Sequence, residues 1–136
     1  MMNRLLPMML TLALMAAATL PARAADPRGT WMSQSGETRV RFADCGGQLC
    51  GTIVASAQAR DEKNEDPALR SRALVGVRMI TMRANGTDSW QGSLYNFQDG
   101  KTYTGRMTMP SANAMSLSGC VMGGLICRSQ TWTRVN

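Results

Sequence analysis

The sequence predicts an all-β domain: a small eight-stranded antiparallel up-and-down barrel with one short helix. Three observations carry that expectation. Short segments of alternating polarity recur between residues that accept turn backbones cheaply. The four cysteines form two close pairs, Cys45/Cys50 and Cys120/Cys127, each spanning a Gly-Gly. Once an N-terminal leader is set aside, the remaining length supports one small domain.

The leader comes first. Met1 to Leu20 carries Arg4 and then an apolar run from Leu5 to Leu20, followed by Ala22-Arg23-Ala24, a small-x-small cleavage pattern. Residues 1–24 therefore read as a secretory signal peptide cut after Ala24. A membrane span is disfavoured, because a span needs about 20 continuous apolar residues and Pro7 interrupts this run. The expected destination is the periplasm. Subtracting the 24 leader residues from 136 leaves 112, residues 25–136, and losing Arg4 and Arg23 takes the net charge from +6 to +4. That excess is scattered. Arg39 and Arg41 alternate with Thr38 and Val40 as on a solvated strand face, and no basic cluster interleaved with aromatics points to nucleic acid.

Eight candidate strands follow in order: Gly29 to Ser33, Thr38 to Phe42, Leu49 to Ser56, Gly76 to Arg83, Ser89 to Phe97, Lys101 to Met109, Ala114 to Val121 and Leu125 to Val135. Asn85-Gly86, Asp99-Gly100, Pro110 to Asn113 and Gly123-Gly124 separate the later ones, and all are turn chemistry. Consecutive hairpins make a meander, and eight strands can close on themselves and leave no free edge. The segment Ala59 to Leu74 breaks the rhythm. Asp66 can cap a helix whose first position is Pro67, so a polar loop and about two helical turns are expected there. Asp61, Glu62, Glu65 and Asp66 lack the glycine and ligand spacing of a calcium loop, and a solvated acidic loop is the expected reading; no metal site is assigned.

The cysteines permit three pairings, of which the two local ones fit hairpin geometry. With Gly47-Gln48 as a two-residue turn closed by Gly46 and Leu49, Cys45 would face Cys50 at a non-hydrogen-bonded site. Cys120 and Cys127 lie symmetrically about Gly123-Gly124. Neither pair is C-x-x-C, which disfavours a redox role. Strand parity supplies the interior. Tyr103, Met107 and Met109 share one face with Gly105, while Thr102, Thr104, Arg106 and Thr108 share the other. In the preceding strand Trp90 and Leu94 have one parity, and Tyr95 and Phe97 the opposite, so a bulge near Gly92 is expected to reconcile them. Val40, Phe42, Ile53, Leu117 and Val121 are further inward candidates. Seven methionines fall after residue 24, and their flexible thioethers suit an irregular core or an adaptable cavity.

Two resemblances emerge from these residues. Gly29-Thr30-Trp31 opens the first strand and Trp132-Thr133-Arg134 closes the last, which resembles the lipocalin-like arrangement of a G-x-W tryptophan beneath a late arginine. The resemblance implies that Trp31, Trp132 and Arg134 are structural, with Arg134 over the indole of Trp31. Most of residues 25–136 also resembles the bacterial secreted family known as domain of unknown function 2147. That likeness rests on Gly29-Thr30-Trp31, Leu49 to Val54, Asp66 to Arg72 with Leu74 and Gly76, Trp90 with Gly92, Asp99 to Tyr103, and Gln130 to Arg134. Phe97-Gln98 departs from the family pattern, where a proline before Asp99 is expected. The resemblance implies a small exported domain and brings no activity or site with it.

The residue inventory argues against catalysis. There is no histidine, which removes Ser-His and Cys-His nucleophiles and the usual histidine zinc site, and no carboxylate pair sits in an evident apolar pocket. No enzyme activity and no cofactor are expected. Two functions of different class remain. The first is a periplasmic binder of a small apolar or amphipathic ligand, with Tyr103, Met107 and Met109 lining the lumen, Arg70 or Arg72 meeting an acidic head group at the mouth, and Trp90 as fluorescent reporter. The second is an envelope protein-interaction module or inhibitor that presents loops on a rigid barrel. A connected cavity favours the binder and a side-chain-filled barrel the module.

Overall fold

A computed structural model describes residues 13, 15–17 and 25–136; the leader expected over residues 1–24 lies, apart from those few positions, outside them. The domain consists of β1 (Gly29–Met32), β2 (Thr38–Cys45), β3 (Gln48–Ser56), β4 (Arg78–Ala84), β5 (Ser89–Asn96), β6 (Lys101–Ser111), β7 (Ala114–Val121) and β8 (Ile126–Arg134). Each strand pairs antiparallel with the next, and β1 pairs with β8 through Trp31↔Arg134 and Met32↔Thr133, so the sheet is a closed barrel. All eight expected segments are strands. The largest boundary change is at β2, which runs on to Cys45 because Ala43, Asp44 and Cys45 find partners in Cys50, Leu49 and Gln48.

Alternation builds the interior as expected. In β2 Thr38, Val40 and Phe42 are buried while Arg39 and Arg41 are exposed, and in β6 Gly105, Met107 and Met109 are buried between exposed neighbours. With Trp31, Ile80, Met82, Met115 and Trp132 these side chains form one continuous core. The expected bulge at Gly92 is absent: β5 keeps unbroken register with both neighbours, and the irregularities fall instead at Arg39/Val40, Gly51/Thr52 and Thr108/Ser111. Continuous register keeps Trp90, Gly92 and Leu94 inward and leaves Tyr95 on the outer wall. Phe97 regains the interior through the turn after β5, and is buried. Gly92, Gly105 and Gly119 lie opposite one another across β5, β6 and β7. A side chain at Gly92 would lie 2.1 Å from the Thr81 carbonyl, and one at Gly105 would lie 2.6 Å from Met82 Cε, so the walls close in there only because glycine occupies both positions.

Both local disulfides are present, with one change of register. The first hairpin turns on Gly46-Gly47, both at positive φ (59° and 79°), with Cys45 opposite Gln48. Two consecutive left-handed residues suit glycine better than the expected Gly47-Gln48, and Cys50 consequently sits opposite Ala43 and reaches Cys45 diagonally, at 5.9 Å between α-carbons. Cys120 and Cys127 face one another directly, at 4.1 Å. Both cross-links brace hairpins, and their short loops fix hairpin shape more than they limit the unfolded chain.

The expected two-turn helix is one 3-10 turn, Pro67–Leu69. Its start is as expected, since Asp66 accepts a hydrogen bond from the Ala68 nitrogen. Extension fails because the following residues pair elsewhere: Asp61 N donates to the Arg72 carbonyl, Leu74 N to the Ala59 carbonyl, and Arg60 bridges Ala73. Tertiary pairing overrides the local helical preference.

The closed end of the barrel gathers the β2–β3, β4–β5 and β6–β7 turns and the chain segments before β1 and after β8. Trp31 is fully buried and donates from Nε1 to the Pro27 carbonyl at 2.8 Å. Arg134 lies 4.5 Å over its ring, as the G-x-W resemblance implies. The same guanidinium donates to the carbonyls of Asp26, Arg28 and Ala112. Gly29, at φ 123°, leaves room for that arginine and for the Asn136 carbonyl, either of which a β-carbon would strike. The tripeptide pattern is thus a packing unit in which glycine admits the arginine that covers the tryptophan.

Candidate functional site

The β1–β2, β5–β6 and β7–β8 turns and the long β3–β4 loop surround the opposite end, and there the interior opens. A cavity of about 700 Å³ enters between β2, β4 to β8 and the β1–β2 and β5–β6 turns. Met79, Leu94, Phe97, Leu117 and Trp132 provide its apolar surface. Phe42 meets Trp132, one of the lining residues, edge-on at 6.4 Å between ring centroids. Space survives at the mouth because Gly119 projects nothing into it; a β-carbon there would find only ordinary contacts, at 3.6 Å, with Leu94 and Tyr103.

Polar groups edge the opening. Asn96, Asp99, Tyr103, Arg128 and Gln130 all line it. The Tyr103 hydroxyl donates to the Asp99 carboxylate, and that bond first, with burial and the charge of Asp99 behind it, raises the tyrosine above its usual value while Arg128 pulls the other way. The phenol therefore stays neutral and its proton is engaged. Gln130 is held by its carbonyl oxygen, which accepts from Trp132 Nε1 at 3.1 Å, so its amide nitrogen is the end left to donate. Arg128 stands on the inward parity of β8 and is exposed at the opening. An apolar floor beneath an arginine and a donor amide can hold an apolar body and anchor a negatively charged or strongly accepting end.

Of the three residues expected to line the lumen and the two expected at its mouth, Tyr103 lines the cavity. Met107 and Met109 are packed into the core outside this cavity, and Met109 reaches a surface depression at the other end beside Ala25, Asp88 and Arg134. Arg70 and Arg72 belong to the β3–β4 loop, outside the cavity lining. Arg70 Nε donates to the Asn64 carbonyl at 2.8 Å, and Arg72 Nε to Asp61 Oδ2 at 2.8 Å. Trp132, assigned a structural part, is buried and also lines the cavity, which makes it rather than Trp90 the indole that a bound molecule would touch. Sequence reasoning missed Arg128 and Gln130, although the parity of Trp132 within β8 places both on the inward face.

Asp61 also departs from its expected solvated state. It is fully buried against the outer wall of β5, where it accepts hydrogen bonds from the Tyr95 hydroxyl (2.5 Å), Asn64 Nδ2 (2.8 Å) and Arg72 Nε. Burial alone would raise its carboxyl, but the three donors and the charge of Arg72 outweigh that and hold it below the ordinary value. Burial and the same carboxylate push Tyr95 up to about 12. Arg72 also lies 5.9 Å over the Tyr95 ring. This cluster ties the loop to the barrel, and the Lys63 carbonyl in turn packs over Gly100, beside the cavity's Asp99.

A closed eight-stranded antiparallel barrel with a cavity at one end and an arginine-covered tryptophan at the other defines a lipocalin-like protein. Residues 29–134 match the family described as uncharacterized protein conserved in bacteria (DUF2147), and the chain belongs to that family. Among solved structures it is similar to protein HP1028 from the human pathogen Helicobacter pylori, described as belonging to the lipocalin family. The TM-score is 0.74, with 25% identity over 82% of this chain and 84% of that one. No curated protein matches the chain.

Proposed function

We propose that this chain is an exported, non-enzymatic binder of a small amphipathic molecule, whose apolar body enters the barrel mouth and whose anionic or accepting head meets Arg128 and Gln130. The observation that carries the reading is the cavity itself, about 700 Å³, apolar below and polar at its rim. The likeness to a protein described as a lipocalin supports it. The test is a titration with a long-chain fatty acid, followed by tryptophan fluorescence and native mass spectrometry. Saturable quenching and a one-to-one complex are expected. Gly119→Leu should fill the cavity without disturbing the backbone, leaving Tm nearly unchanged while weakening binding at least tenfold, or about 1.4 kcal/mol. Equal binding by this variant, or no complex with any apolar probe, would sink the proposal.

Export carries its own expected result. The two disulfides suit an oxidising compartment. Ala25 N already donates to Asp88 Oδ1 at 3.2 Å, so cleavage after Ala24 would turn that nitrogen into an ammonium facing a carboxylate. The intact mass of protein recovered from the periplasm should correspond to residues 25–136 less four hydrogens. A species retaining the leader, or one with free thiols, would contradict export by this route.

A further inference from the structure

The β7–β8 hairpin ends in an apolar tip that is largely exposed. Val121, Met122, Leu125 and Ile126 are 41%, 70%, 85% and 55% exposed, around Gly123-Gly124. Such a concentration is costly in water and marks a contact surface. One of these apolar residues is held there against its local backbone preference. Met122 sits at φ 55°, where glycine or asparagine would be more comfortable, yet the large side chain occupies that position and points to solvent. The Cys120–Cys127 disulfide closes the base of the tip and keeps it in one shape.

Two features indicate the partner. From Gly119 to Ser129 the hairpin contains no carboxylate, and its one charge is Arg128. A second guanidinium, that of Arg106 on β6, lies against Gly124 so closely that a β-carbon there would be 2.2 Å from its Nη2. A convex apolar tip flanked by two arginines matches the interface of an anionic bilayer, with acyl chains below and phosphates at the level of the guanidinium groups. Val121 and Ile126 also line the cavity, so the tip and the opening are continuous.

We infer that the β7–β8 tip docks the barrel mouth onto an anionic lipid surface, inserting Met122 and Leu125 among the acyl chains with Arg106 and Arg128 against phosphates. The inference deepens the ligand-binding reading and rests on it for its purpose, since docking would bring the cavity to the phase from which an amphipathic molecule is drawn. The contact is peripheral. No helix among the described residues is long and apolar enough to cross a membrane.

The test is co-sedimentation of the mature, disulfide-intact protein with phosphatidylcholine vesicles, with and without phosphatidylglycerol, alongside fatty-acid binding in solution. Wild type should partition onto the anionic vesicles and come off as salt screens the arginines. Leu125→Asp and Met122→Asp change exposed side chains and should keep Tm, yet each should weaken partitioning at least tenfold. Arg106→Gln, which lies outside the cavity, should reduce both partitioning and its salt dependence. Leu125→Asp should bind fatty acid in solution as wild type does. Absence of partitioning, partitioning indifferent to the tip variants, or tip-dependent capture of one envelope protein without vesicle binding would overturn the inference. Fatty-acid binding without vesicle binding would remove the docking surface and leave the binder intact; tip-dependent docking without fatty-acid binding would do the reverse.

Discussion

Trp31→Ala is expected to cost about 3–5 kcal/mol, the range for deleting a large buried aromatic, and to lower Tm by roughly 10–20 °C. The side chain is 0% exposed and lies where β1 meets β8, the seam that closes the sheet. Its removal leaves the Pro27 carbonyl without the indole donor and takes away the face on which Arg134 rests. The arginine is tied to three carbonyls, so it cannot follow the wall inward to fill the space. Chemical denaturation should show a lower midpoint with little change in slope. Arg134→Lys gives the control. It keeps the charge but loses the planar stack and the fork, and is expected to cost about 1–2 kcal/mol. Combining the two substitutions should cost less than their sum, because each removes the other's partner. A loss below about 1 kcal/mol for Trp31→Ala would mean that the seam closes without it.

The same region explains what was legible in the sequence. Strand number, order and closure could be read because period-two alternation in segments such as Thr38 to Phe42 and Lys101 to Met109 is a local signal. The G-x-W reading worked because its residues encode a contact between neighbouring strands and not a mere composition. The local disulfide pairs were legible for a related reason: each is confined to one hairpin.

What escaped was decided by partners distant in sequence. Asp61 looks like one of several solvated acids until Tyr95, 34 positions away, presents its hydroxyl. Arg72 looks like a mouth residue until that carboxylate engages it. The segment after Pro67 carries a proper helix start, and pairing of Asp61 with Arg72 and of Leu74 with Ala59 stops the helix after one turn. Tyr95 and Phe97 seemed to require a bulge at Gly92, whereas one belongs to the outer wall under the loop and the other to the turn. The site was therefore half visible. Tyr103 follows from parity, but how far the filled core rises beneath it depends on Gly92 meeting the β4 backbone and Gly105 the Met82 side chain, a match that no single strand encodes.

The loop cluster yields the second large effect. Asp61→Ala should destabilise the fold by about 3 kcal/mol, since it leaves the Tyr95 hydroxyl, Asn64 Nδ2 and Arg72 without their common acceptor. The figure sits at the lower end for a broken buried pair because the Arg72 side chain is 37% exposed and regains water. Asp61→Asn should cost less, as the amide keeps one oxygen to accept. The pH dependence identifies the charge as the cause. Because the folded carboxyl lies below its ordinary 3.8, its contribution is complete above that value and is lost as pH falls through the lower folded one. The Tm difference between wild type and Asp61→Asn should accordingly be constant from neutral pH down to about 5 and shrink below about 4. Hydrogen exchange should place the loss in residues 57–77 first, because the cluster fastens that loop to the barrel wall. The effect should then reach the rim, where the Lys63 carbonyl packs on Gly100 beside Asp99 and Tyr103. A difference that persists undiminished in acid would show that Asp61 acts through shape and not through its charge.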